Sequence, residues 1–237
     1  FYDLPMNKIG TSEMLIKSGE EIGTSKYLVC SVATTSSQVV SINNFIAREC
    51  EKYSQFFGFA AMHQNFEDID AEVDRVISLG LHGIKIHPDF QQFDIDSKDA
   101  YRIYDAIQGK LPILIHMGDA RYTHSRPEKL LTAMKNFPHL KVIAAHLGGY
   151  LAWDDARILK EVSGENLRFD TCSAIGCMPR EKALEQIRFF GAENCFFGTD
   201  FPMWGHKKEL DILESLGLTD GELEGIAGEN FETWFAD

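Results

Sequence analysis

Nowhere in its 237 residues does the sequence hold an apolar run of the about 18 to 20 residues that a membrane-crossing helix needs. Positive charge is scarce. Lys and Arg number 23 against 36 Asp and Glu, a formal charge of −13. So acidic a balance repels phosphate backbones and anionic headgroups, which excludes nucleic acid and membranes as expected partners. Neither GxGxxG nor GxxxxGKS/T occurs, so no glycine-rich loop of those kinds cradles a nucleotide. The five cysteines (Cys30, Cys50, Cys172, Cys177, Cys195) are odd in number, scattered, and never spaced CxxC. That excludes a disulfide framework or a thiolate zinc site as an expectation and favours reduced thiols in the cytoplasm. The opening Phe1-Tyr2-Asp3-Leu4-Pro5 lacks the basic and apolar regions of a signal peptide, consistent with a cytoplasmic location.

What the sequence does have is rhythm. Short β-rich runs recur at Tyr27–Val32, Phe56–Met62, Gly83–His87, Pro112–Met117, Lys141–His146, Leu167–Cys172 and Cys195–Thr199. Several, such as Ile113-Leu114-Ile115, are continuously apolar, the pattern of strands covered on both faces. Helical segments lie between them. Ser36 or Ser37 starts one through about Tyr53, Ser97 precedes Lys98–Gln108, Pro127 opens one to Asn136, and Pro179 one to Phe190. Gly80, Gly109, Gly191 and Gly217 close several of the helices. Successive strand starts are 29, 27, 29, 29, 26 and 28 residues apart, the length of a βα unit. This predicts a single domain over residues 1–237, a (β/α)8 TIM barrel with seven strands in view. The helical reading of Ser12–Ser18 places the remaining first strand upstream of Phe1. An open doubly wound sheet is the alternative, but it usually carries a phosphate loop after its first strand.

Polar residues gather at the strand ends. His63 follows Phe56–Met62, Lys85 and His87 occupy Gly-Ile-Lys-Ile-His-Pro, His116 ends Pro-Ile-Leu-Ile-His, His146 ends Val-Ile-Ala-Ala-His, and Asp200 follows Phe-Phe-Gly-Thr. In a parallel barrel the carboxyl ends of all strands open on one face. Neutral imidazoles and a carboxylate suit zinc first, and also manganese, iron or nickel, while an unligated histidine moves protons. A lone strand-end histidine is usually a hydrogen-bonded structural residue; recurrence on successive strands points to a site. Arg121 or Arg126, in the loop after His116, would hold a substrate carboxylate, and Trp204 would wall the pocket. Lys85, His87 and His63 are the further substrate-binding candidates. His82, His139 and His206 read as structural, and Cys172 has no assignable base.

Gly-Ile-Lys-Ile-His-Pro, Ile-His-Met-Gly, Ala-Ala-His-Leu-Gly-Gly and Gly-Thr-Asp-Phe-Pro, in this order, resemble the amidohydrolase superfamily. The resemblance is greatest to its amidohydrolase-related branch, which includes metal-dependent decarboxylases of the aminocarboxymuconate semialdehyde type. It implies a barrel with one or two metal ions. His116 matches a metal ligand, Asp200 a ligand and proton-transfer group, and His146 a second-metal ligand or catalytic residue. Lys85 falls where some members carry a metal-bridging residue. The family's HxH pair occurs nowhere in the 237 residues, in keeping with a first strand upstream.

The leading expectation is therefore a metal-dependent hydrolase that activates water against an amide, ester or lactone of a small anionic molecule. Non-oxidative decarboxylation of a small carboxylic acid is the near alternative, and an inactive binding barrel a third. Homodimerisation is expected of such a barrel.

Overall fold

A computed structural model describes residues 10–119 and 121–236. Along the chain run α1 (Ser12–Glu20), β1 (Tyr27–Val29), α2 (Val39–Lys52), β2 (Phe56–Ala61), α3 (Ile69–Ser78), β3 (Gly83–Ile86) and α4 (Pro88–Gln91). Next come α5 (Lys98–Ile107), β4 (Ile113–Ile115), α6 (Pro127–Asn136), β5 (Val142–Ala144), α7 (Trp153–Ala156) and β6 (Leu167–Asp170). The chain closes with α8 (Arg180–Phe190), β7 (Cys195–Phe196), α9 (His206–Glu214), α10 (Asp220–Glu224) and α11 (Asn230–Ala236). All seven expected strands are present, and the strand expected before residue 1 lies outside the described residues. None of the described helices is long and apolar enough to cross a membrane.

The residues form two compact units, one of residues 26–168 and one of residues 10–25 with 169–236. In the first, β1 to β5 pair parallel in sequence order, with Tyr27 beside Phe56, Phe59 beside Gly83, Ile84 beside Ile113, and Ile113 beside Val142. Every residue of β3, β4 and β5 is buried, which is why these strands read as unbroken apolar runs. Gly83 is required by close approach, since a Cβ there would stand 2.4 Å from the Phe59 ring. Two helices start where their caps foretell: Ser97 Oγ accepts from Ala100 N (3.3 Å), and Pro127 occupies the first turn of α6. Neither Ser36 nor Ser37 caps α2, because both lie inside a 3-10 turn that Thr35 begins with a Thr35–Gln38 capping box, and α2 starts at Val39. Asn43, wholly buried on α2, accepts from Ala61 N (2.7 Å) and donates to Glu72 (2.7 Å), tying α2, β2 and α3 together.

In the second unit β6 and β7 pair parallel, Phe169 beside Cys195 and Asp170 beside Phe196. His206 Nδ1 lies 3.0 Å from Ser18 Oγ, linking α9 to α1. Strand β7 is shorter than its apolar run suggests because its next amides have other partners. Phe197 N donates to Ile226 O (2.8 Å) and Gly198 N to Thr171 Oγ1 (3.1 Å). Likewise β5 stops at Ala144 because His146 and Leu147 adopt positive φ, 60° and 51°.

Candidate metal and substrate centre

In the unit of residues 26–168 the ends of β3, β4 and β5 bring three imidazoles into contact. His87 follows β3 and caps α4, its Nδ1 accepting from Phe90 N at 3.4 Å. Gln91 holds that turn. It accepts from His87 N (2.9 Å) and donates to Met62 O (2.6 Å) and Ala33 O (2.9 Å). The His87 ring stacks between Phe90 and His116, at 3.7 and 3.8 Å between centroids. His116, just beyond β4, faces His146 edge-on, with His116 Nδ1 2.9 Å from His146 Nε2. Trp153 Nε1 donates to His146 O (3.1 Å) and anchors its strained turn. Gly118 makes room for this turn. Its φ is +73°, and a Cβ would meet Tyr150 N at 2.6 Å.

Burial sets the charge states. It is the largest cause that drives the His87 pKa down to about 2, and the nearby Lys85 and His146 add to it. The same burial, then His87, His146 and Lys85, hold His116 well below the ordinary histidine value. Both rings are therefore neutral at pH 7, with lone pairs available to a metal. Lys85 on β3 is itself buried. Among the described residues no carboxylate makes an ion pair with it.

Asp89 is the residue that sequence reading missed. It lies two positions after His87, at 1% exposure. Its Oδ2 accepts from Ser125 Oγ (2.5 Å) and stands 3.9 Å from His116 Nε2, while buried Oδ1 has no hydrogen-bond partner among the described residues. Burial raises its pKa above the usual carboxylate value. The donor atoms of His87, Asp89 and His116 all lie within 4.8 Å of one another. Near-parallel stacking at 11° prevents both imidazoles from aiming in-plane lone pairs at one ion. His116 with Asp89 is different, because 3.9 Å is within the span of two metal bonds of about 2.1 Å. The donor chemistry fits a divalent cation. The Asp's place at the first turn of α4, beside a strand-end histidine, was the available signal.

The other candidates have defined partners. Asp119, 1% exposed, grips Arg121 through Nε (2.9 Å) and Nη2 (2.7 Å), and Arg126 bonds Asp155 at 3.3 Å. His63 Nδ1 accepts from Asn65 N (3.1 Å), and burial lowers its pKa. His82 stacks on Phe57 at 3.9 Å. In the second unit Asp200 Oδ2 accepts from Ser173 Oγ (2.8 Å), whose oxygen accepts from Trp204 Nε1 (3.0 Å). Cys172 donates its thiol to Asp170 Oδ1 (2.8 Å). The structure thus joins His87, His116 and His146 directly, and Asp200 with Trp204 through Ser173, while Arg121 and His63 are engaged by Asp119 and Asn65.

Comparison with solved structures identifies the class as a TIM barrel. The chain shares its fold with an uncharacterised TIM-barrel protein from Bordetella bronchiseptica, at TM-score 0.79 and 17% identity over 95% of this chain and 83% of that one. It matches 5-carboxyvanillate decarboxylase from Sphingomonas paucimobilis at TM-score 0.76 and 16% identity, over 95% of this chain and 83% of that chain. A dihydroxybenzoic acid decarboxylase from Polaromonas sp. JS666, with manganese and 2-nitroresorcinol bound, matches at TM-score 0.77 and 15% identity, over 96% and 86%. A putative 2-pyrone-4,6-dicarboxylic acid hydrolase from Pseudomonas putida also matches, at TM-score 0.71 and 15% identity, over 97% and 89%. No curated protein sequence matches the chain. The family is nevertheless defined, because the amidohydrolase profile (Amidohydro_2) matches residues 31–235. The chain belongs to the amidohydrolase family.

Proposed function

We propose that the protein is a metal-dependent, non-oxidative decarboxylase of a small carboxylic acid, hydroxylated aromatic acids being the class to test. The observation that carries this reading is Lys85. A buried ammonium beside neutral imidazoles, with no carboxylate paired to it among the described residues, is costly until an anion arrives. A substrate carboxylate is such an anion. The decarboxylases that share the fold support the same reaction, and so reverse the order in which sequence alone ranked hydrolysis and decarboxylation.

In the proposed mechanism His116 is a ligand of the divalent ion, with Asp89 available beside it, and Asp200 keeps the ligand and proton-transfer role that the amidohydrolase resemblance implies. When bound, the ion would neutralise the acid's negative charge and that of its neighbouring oxygen. Manganese, present in the Polaromonas relative, takes precedence over zinc as the ion to supply. Lys85 orients the carboxylate. His146 delivers the proton that the substrate carbon accepts as its bond to the carboxyl carbon breaks, releasing carbon dioxide. Burial of His87 and His116 keeps them uncharged, so they do not compete for that proton.

Hydrolysis of a lactone is the second reading, supported by the putative pyrone hydrolase that shares the fold. Incubation of the manganese-loaded protein with carboxyl-13C-labelled hydroxybenzoates separates the two. Labelled carbon dioxide, released one for one with loss of substrate, is expected. Its absence, together with a new carboxylate from a pyrone lactone, would replace decarboxylation by hydrolysis.

A further inference from the structure

We infer that Ser173 is a positioning residue for Asp200 and that Trp204 sets the direction of its hydroxyl. The inference rests on the proposed ligand and proton-transfer role of Asp200. Its basis is a chain of two hydrogen bonds within one unit, Trp204 Nε1 to Ser173 Oγ (3.0 Å) and Ser173 Oγ to Asp200 Oδ2 (2.8 Å).

The direction of this chain is fixed by chemistry. An indole N–H only donates, an ionised carboxylate only accepts, and a hydroxyl has one proton to give. Trp204 occupies a lone pair of Ser173 and so leaves the Ser173 proton for Asp200. Oδ2 is thereby taken, and Oδ1 is the oxygen left to face an ion or a substrate proton.

The backbone supports the same assignment. Parallel pairing of β6 with β7 brings the two strand ends side by side. Just past those ends Ser173 and Asp200 both adopt left-handed conformations, φ 51° and 53°, that non-glycine residues rarely occupy. Gly198 N bonds Thr171 Oγ1 (3.1 Å), and Met203 N bonds Asp200 O (3.0 Å), holding the two turns. Ser173 is 4% exposed whereas Asp200 is exposed, so a buried hydroxyl steadies a carboxylate that solvent and ligands reach. Lys208 Nζ lies 4.6 Å from the centroid of the Trp204 ring, a cation–π contact that steadies the indole.

The test uses Ser173→Ala, Trp204→Phe, the double variant and Asp200→Asn. In 15N-labelled, metal-free protein, Ser173→Ala is expected to move the Trp204 indole N–H resonance upfield, as a lost acceptor requires. With manganese and the acid that releases carbon dioxide, Ser173→Ala should lower kcat about 10- to 100-fold, the loss a hydrogen bond to a charged group supports. KM and melting temperature should stay near wild type, and the double variant should be no worse than Ser173→Ala. An unmoved indole resonance, an unchanged kcat, or losses that multiply in the double variant would each overturn the inference. Failure of the decarboxylase reading looks different: wild type releases no carbon dioxide while the indole shift persists. Failure of the Asp200 role alone appears as an Asp200→Asn variant that turns over normally.

Discussion

His116 Nδ1 and His146 Nε2 lie 2.9 Å apart although 30 residues separate them in the chain. With His116 held neutral by burial, the contact is a hydrogen bond in which one ring donates and the other accepts. Parallel pairing of β4 with β5 creates it, because both histidines leave adjacent strands at their carboxyl ends.

Removal of a proposed metal ligand has a direct readout. His116→Ala is expected to weaken manganese binding by at least about 100-fold, more than the 10- to 100-fold typical of losing an outer partner. Metal analysis after dialysis at equal free manganese measures it. His139→Ala, remote from the proposed ligand set, should bind as wild type does, and retention of stoichiometric manganese by His116→Ala would remove His116 from that set.

Lys85→Met should change stability and binding in opposite directions. An apolar side chain of similar length removes a buried cation that has no carboxylate partner among the described residues, so the free protein should melt higher. Binding of the anionic substrate should weaken, raising KM by roughly tenfold or more, the scale of one lost charged hydrogen bond. A variant that melts lower and keeps its KM contradicts both halves.

Acid should destabilise the metal-free protein through its stacked histidines. His87 is pushed to about 2 and His116 is also lowered, against an ordinary value near 6.5. Below about pH 6.5 the unfolded chain binds protons that these folded rings refuse, so stability is lost as pH falls. His87 adds a limiting slope of about 1.4 kcal/mol per pH unit between those values, and His116 acts in the same direction. His87→Asn keeps a capping acceptor for α4 and should flatten the dependence by one histidine's share in urea unfolding at pH 4 to 7. An unchanged slope would show that His87 titrates normally.

Glu209 on α9 makes the opposite contribution. It is 1% exposed, its Oε2 has no hydrogen-bond partner among the described residues, and burial raises its pKa to about 7. Between about pH 4.5 and 7 the unfolded chain releases a proton that folded Glu209 retains, so stability falls as pH rises and then levels off. Glu209→Gln should stabilise the protein at pH 8 by on the order of 3 kcal/mol and leave it nearly unchanged at pH 4. Equal melting temperatures of wild type and variant at pH 8 would refute the shift.

Much of this architecture is legible in the sequence for local reasons. Strands covered on both faces must be apolar throughout, so Ile113-Leu114-Ile115 and Val142-Ile143-Ala144 announce themselves. Ser97 and Pro127 mark helix starts because their chemistry suits a first turn. His116 and His146 stand out as polar residues where apolar runs end. Asp89 and Ser173 do not, because nothing in Pro-Asp-Phe or Thr-Cys-Ser tells a buried polar residue with distant partners from an ordinary turn residue. Arg121 illustrates the reverse case. Its charge invites a substrate role, yet Asp119, two residues away, takes its guanidinium.

By itself, then, the sequence determined the alternation of strands and helices and which residue types arrive at strand ends, since burial and capping act over a few neighbouring residues. Tertiary structure alone decided that His87 stacks on His116, that Lys85 is buried with no carboxylate paired to it among the described residues, and that the Ser173 hydroxyl points to Asp200. Those relationships join distant positions, 27 residues apart in the case of Ser173 and Asp200. They depend on strand register and on solvent exclusion, which no short stretch of chain specifies.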